Sequence, residues 1–375
     1  MIKKTDFLTL DLPGKYRIPS IDYFRTIAIF LVILMHNMHK NPLLGAFGRY
    51  TDGGGGAFLE AILEFVLSHI FTLAVPFFFV IAGYFFGQKI MTGDSSARTL
   101  GTYSGRLMLA LFFWRIVYFF IPSPSLFEHS HDYLGWIYGK VTDVHELSEL
   151  LNIRSVPHLW FIPALLIALC TATFFSSVKR QWMFLPFAIL LYLLYLTKST
   201  YATTSWGAQA NTFFQLCFPP WVNAWTDVTV NYFYPIVFVS GGWYLTAKKI
   251  EFKVRTSVLF ILSGVFISSL EIMLLYKECG IVSSCLIGTV PLVIGVAMLA
   301  FSMPDIGKDS FMSKCGRYAF GIYLIHYLFV FWLRPLADLF EYPFSEIVHF
   351  VVVYFFSLVV IVVLSKNKWL RRVVV

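Results

Sequence analysis

The feature that most constrains this chain is a series of ten apolar runs, at about 21–37, 66–87, 100–121, 159–177, 182–197, 230–247, 257–276, 281–301, 318–334 and 346–365. A helix needs about 20 apolar residues to cross the bilayer core, and inside hydrocarbon a backbone must satisfy its own hydrogen bonds. Ten such helices would take roughly 200 residues, so the 375-residue chain has room for little beyond connections. Composition agrees: 58% of residues are apolar and 13% charged, against about 45–50% and about 25% in ordinary soluble domains. A soluble enzyme, a disordered protein and a disulfide-rich secreted module are excluded. The predicted fold is all-α, a polytopic membrane protein with about ten transmembrane helices, forming one integral-membrane domain over 1–375.

Loop charges give the orientation. With the N-terminus in the cytoplasm, twenty Lys and Arg fall on inner segments and seven on outer ones. The positive-inside rule then puts both termini in the cytoplasm. The same distribution explains the net charge of +8 as topology signal and contact with anionic membrane lipids, with no nucleic acid implied. Asp6 and Asp11 interrupt the first 20 residues, so no cleavable signal is expected and the first run stays as an anchor. Two outer loops are long, about 122–158 and 198–229. The first carries Glu128, His129, His131 and His145, the second Trp206, Trp221 and Trp225. Such aromatic loops suit sugar contact and an interfacial belt alike. A glycine run, Gly53 to Gly56, and an apolar lead at 57–65 precede the second helix.

Five cysteines without a CxxC pair give neither a zinc framework nor a disulfide scaffold. His36 and His39 could offer two imidazoles to a metal, but no third ligand is specified nearby, and no metal is expected.

Ionisable residues inside the runs are costly and therefore point to function. They are Arg25, His36, Arg115, Glu271 and His326, with Arg106 near an inner end. Arg25 and His36 are 11 residues apart, about 16.5 Å along a helix and three turns plus about 20° around it. They share one face at two depths. Arg25 and Arg106 form an inner layer, where guanidinium groups suit the phosphates of a cytoplasmic ligand. An intrahelical salt bridge from Arg25 to Asp22 is the structural alternative. His36, Arg115 and Glu271 form an outer layer suited to proton transfer, His36 as base and Glu271 orienting or balancing it.

The residues also resemble a known family. Ile21-Asp22-Tyr23-Phe24-Arg25 followed by His36 is similar to the Arg-x10-His signature of the acyltransferase-3 family of integral membrane acyltransferases. Val75-Pro76-Phe77-Phe78-Phe79-Val80-Ile81-Ala82-Gly83-Tyr84, Arg106-Leu107, His158-Leu159-Trp160-Phe161 and Gly321-Ile322-Tyr323-Leu324-Ile325-His326 resemble its later segments in order. Ala82 departs from the pattern, where Ser is common. The resemblance implies O-acylation, most often O-acetylation, of a surface glycan or its lipid-linked precursor in the bacterial inner (cytoplasmic) membrane. It implies a cytoplasmic acyl-CoA donor, acetyl-CoA first, with Arg25, Arg106 and Arg115 on the donor and His36 as base or acyl carrier. Trp160, Tyr323 and His326 would support acceptor binding. Without the soluble hydrolase-like domain of fused members, transfer would finish within the membrane domain. A transporter or flippase using the same charges as a substrate path is the alternative of a different class.

Overall fold

The computed structural model describes residues 17–37, 70, 73–122, 132–149, 156–217, 219, 230–247, 252–279, 285–340 and 344–375. His39, His129, His131, the glycine run 53–56, the lead 57–65 and residues 220–229 lie outside the described residues. The structure is 83% helical, with no strand among the described residues.

Each of the ten apolar runs carries a helix. These are α1 (Pro19–Asn37), α2 (Ala74–Met91), α3 (Ser96–Phe120), α6 (Phe161–Ser177), α7 (Phe184–Lys198), α9 (Tyr234–Ala247), α10 (Val254–Cys279), α11 (Thr289–Ser302), α13 (Ala319–Trp332) and α15 (Phe344–Lys366). Among the described residues, six stretches are long and apolar enough to cross a membrane: Pro19–His36, Ala74–Met91, Pro157–Ser177, Gln181–Lys198, Val254–Leu275 and Phe344–Lys366. Thr289–Ser302 and Ala319–Trp332 are apolar but shorter. The two long loops contain helices of their own, α4 (Tyr133–Thr142), α5 (Val144–Glu149) and α8 (Ser205–Cys217), and three short ones follow late: α12 (Phe311–Gly316), α14 (Arg334–Ala337) and α16 (Arg371–Val374). Local chemistry explains two of these starts. The Asp132 side chain caps α4 by accepting from Gly135 N at 2.8 Å, and Thr204 Oγ1 accepts from Gly207 N at 3.0 Å at the start of α8.

Small residues set the packing, as expected where lipid offers no hydrophobic drive between helices. Gly83 of α2 faces the Val239 carbonyl of α9, and Gly242 of α9 faces the Val80 carbonyl of α2; a Cβ at either would collide with backbone. Gly316, at the end of α12, abuts the backbone of Asp22 in α1. Polar side chains reinforce that last contact. Thr26 Oγ1 donates to Met312 O at 2.7 Å, Arg17 Nη2 to Ser313 O at 2.9 Å and Ser313 Oγ to Pro19 O at 3.2 Å. The N-terminal end of α1 is thereby tied to the segment leading into α13. Gly321 of α13 faces the Val374 carbonyl, and Trp114 Nε1 of α3 donates to Val373 O at 3.0 Å. The terminal α16 is wedged between α3 and α13.

Candidate active site

A cavity opens where these contacts converge. Its empty volume is about 750 Å³, counting the part open to solvent. Arg25, Arg317 and Tyr323 line it among apolar groups such as Phe78, Ala82 and Leu165. Two guanidinium groups and the terminal residue Val375 belong to this lining. Arg25 does make the salt bridge foreseen as its alternative, with Nη1 3.3 Å from Asp22 Oδ1. Asp22 is shared, since Arg17 Nε lies 2.6 Å from its other oxygen. One carboxylate therefore serves two guanidinium groups, and the Arg317 guanidinium adds a third cation, 4.7 Å from the Tyr318 ring.

Tyr323 connects this cavity to a cluster of imidazoles. Its ring lies 5.7 Å from His158 and 5.8 Å from His326, and its hydroxyl donates to the His158 carbonyl. The His326 ring is 5.4 Å from His36 and 5.3 Å from His158. Tyr327 closes the group, 5.4 Å from His36 and 4.9 Å from His158. Three elements supply the imidazoles: α1, α13 and a 3-10 turn, Pro157–Trp160, that leads into α6.

Hydrogen bonds fix how two of these rings hold their protons. His326 Nδ1 lies 2.7 Å from Tyr323 O and 3.2 Å from Ile322 O. Carbonyl oxygens only accept, so Nδ1 carries the hydrogen and Nε2 keeps its lone pair. His158 Nε2 lies 3.2 Å from Leu324 O, which also accepts from Tyr118 at 2.8 Å. Its Nδ1 then keeps the lone pair. Both rings are buried. Neither His326 Nε2 nor His158 Nδ1 has a hydrogen-bond partner among the described residues. Buried polar atoms are nearly always paired, and exceptions call for a reason such as a catalytic role or a ligand.

The other sequence candidates are placed as follows. Arg106 is not on the cavity lining; its Nε donates to Arg372 O of α16 at 3.2 Å. Arg115 is buried on α3, also off the lining. Glu271 lies on α10. Its oxygens accept from Ile287 N at 3.0 Å and Gly288 N at 3.4 Å, just before α11. Glu271 thus caps the turn before α11, whose amides a carboxylate satisfies well. Trp160 shares the 3-10 turn with His158, but its ring packs near Phe79 and Tyr234, at 6.2 and 6.4 Å. Sequence reasoning missed Arg317, His158, Tyr327 and Tyr118. Among the described residues, no group of three His, Cys, Asp or Glu side chains could hold a metal ion.

Comparison with known proteins now decides the family. The profile of an acyltransferase domain matches residues 18–366, nearly the whole chain. The chain belongs to the acyltransferase-3 family. Two Enterococcus faecalis proteins, each named amino-acid racemase, are also similar. One is 26% identical over 227 residues, 60% of this chain and 27% of the racemase; the other is 24% identical over 250 residues, 66% and 32% respectively. The chain thus spans about a third or less of each relative, and most of both racemases lies outside the match. No solved structure matches this acyltransferase.

Proposed function

We propose that this acyltransferase moves an acyl group, most often acetyl, from cytoplasmic acyl-CoA to a hydroxyl of a surface glycan or lipid-linked glycan in the bacterial inner membrane. In this reading ten helices span the bilayer and both termini are cytoplasmic. The observation that supports it best is the cavity with Arg25 and Arg317 on its lining and Tyr323 bordering the imidazole cluster. Guanidinium groups hold phosphate oxygens in a planar fork without losing charge. The donor's phosphates lie at the arginines and its thioester points toward Tyr323. His36 then takes the proton of the acceptor hydroxyl as that oxygen attacks the carbonyl carbon, or carries the acyl group between two steps.

Tyr323 holds the His158 turn through its hydroxyl, which positions the acceptor side of the cluster. Trp160 stacks against the acceptor sugar or anchors the interface beside it. Arg106 and Arg115 support the donor from α3, Arg106 by holding α16 in place. Glu271 is structural in this reading.

Mass analysis of the envelope glycan tests the proposal. Cells making the intact protein should add one acetyl group per modified sugar, and cells making His36→Ala at equal level should add none. An unaltered acyl mark in the His36→Ala cells would reject His36, and a glycan with no acyl gain in either would reject the glycan acceptor.

A further inference from the structure

We propose that His326 is a proton relay behind His36, an inference that rests on the acyl-transfer reading above. His326 is buried and its ring lies 5.4 Å from that of His36. One turn earlier on the same helix, Tyr323 lines the donor cavity. His326 therefore stands between the imidazole that meets the acceptor and the space assigned to the thioester.

Its hydrogen bonds argue against a packing role. Nδ1 donates only to carbonyls of its own helix, at 2.7 and 3.2 Å, so the bond ties no two elements together. What it does is fix the tautomer and leave a lone pair on Nε2. That nitrogen has no partner among the described residues. An aromatic or aliphatic residue would fill the same volume without burying a polar atom.

The relay balances as follows. The acceptor oxygen attacks the thioester carbonyl carbon and a C–O bond forms. The C–S bond breaks and its electron pair leaves with sulfur. The hydroxyl proton passes to His36, then to the lone pair on His326 Nε2, and from that nitrogen to the thiolate. Ester and free thiol result, and both imidazoles end neutral. An alkyl thiolate leaves slowly unless it is protonated as it departs, so the relay matters most for a poor leaving group.

Two variants of the purified full chain test this, with acetyl-CoA as donor. His326→Asn keeps an N–H at the Nδ1 position and has no atom at Nε2. His326→Gln puts an amide oxygen near Nε2, an acceptor without basicity. Both should lose about 100-fold in kcat, the lower range for general acid–base groups, with donor KM unchanged. The loss should shrink to a few-fold with an aryl thioester, whose thiolate leaves without a proton. Wild-type turnover in His326→Asn, or rescue by His326→Gln, overturns the relay, and so does an equal loss with both donors in variants that unfold at the wild-type temperature. If neither variant folds, the wild type decides. Its kcat should be nearly independent of leaving-thiol acidity; a steep rise toward acidic thiols overturns the relay. A wild type that transfers acyl groups while failing these tests leaves the acyl-transfer reading standing, and one inert to every thioester overturns both.

Discussion

Two regions of this molecule bury ionisable side chains among apolar helices, and they treat them differently. Between α10 and α11, Glu271 meets two backbone amides, at 3.0 and 3.4 Å. Glycines let the two helices approach: a Cβ at Gly288 would strike Ser268 and one at Gly264 would strike Leu292. The group is buried and its hydrogen bonds are made within the fold. Between α1, α13 and the 157–160 turn, the His158 and His326 rings are also buried, yet His326 Nε2 and His158 Nδ1 are left without partners among the described residues. A satisfied buried carboxylate costs little and holds structure. An unsatisfied buried nitrogen costs stability and calls for a reason such as a ligand or a catalytic role. In the proposed reading the first is a structural polar site and the second a reactive one.

Substitutions can break that contrast, beginning with the largest effect. His36→Ala should lower kcat for acyl transfer by about 100- to 10,000-fold, the range for removing a general base, with an unchanged unfolding temperature in detergent. A kcat near wild type would remove His36 from the chemistry. Arg25→Gln should raise the KM for acetyl-CoA about 10-fold, a loss of about 1.4 kcal/mol, and leave the KM of a short thioester without phosphates alone. An equal rise for both donors would mean that Arg25 only holds Asp22.

The reverse pattern is expected at α10. Glu271→Ala should cost about 1–3 kcal/mol of stability, because two buried amides lose their acceptor, and kcat should remain within about 2-fold of wild type. A drop in kcat without a drop in stability would return Glu271 to the reactive site. Arg106→Gln is the smallest case. Its Nε bonds a carbonyl of α16, so donor KM should change less than about 3-fold, since a single hydrogen bond to a charged donor is worth about 1.5 kcal/mol or more only when buried.

Much of this architecture was legible in the sequence. Hydropathy located a helix in each of the ten apolar runs, six of them in stretches long and apolar enough to cross a membrane. Arg25 and His36 were legible as one face, since helical geometry fixes eleven residues at about three turns. Tyr323 and His326 were legible in the same way, three apart on α13. Arg317 was not. It precedes α13 in a segment counted as cytoplasmic charge, and the contacts of α12 with α1, Gly316 against the Asp22 backbone among them, bring it to the cavity. His158 was hidden for a similar reason. It stood at the end of an outer loop, and the 3-10 turn that carries it under Tyr323 depends on a hydrogen bond from a residue 165 positions away. Depth along a helix placed Glu271 level with His36, but depth cannot say which neighbours a helix has. Contacts between distant segments were beyond periodicity in all three cases.

The central claim is that the donor's acyl group reaches the imidazole cluster through the cavity beside Arg25 and Arg317. Photolabelling tests it most directly, with an acyl-CoA whose acyl chain carries a photoreactive group and mass spectrometry of the labelled peptides. The account expects label on α13 around Tyr323 and on α1, displaced by excess acetyl-CoA and weakened in Arg25→Gln. Label confined to α10 and α11, or spread over lipid-facing helices and indifferent to acetyl-CoA, would contradict it.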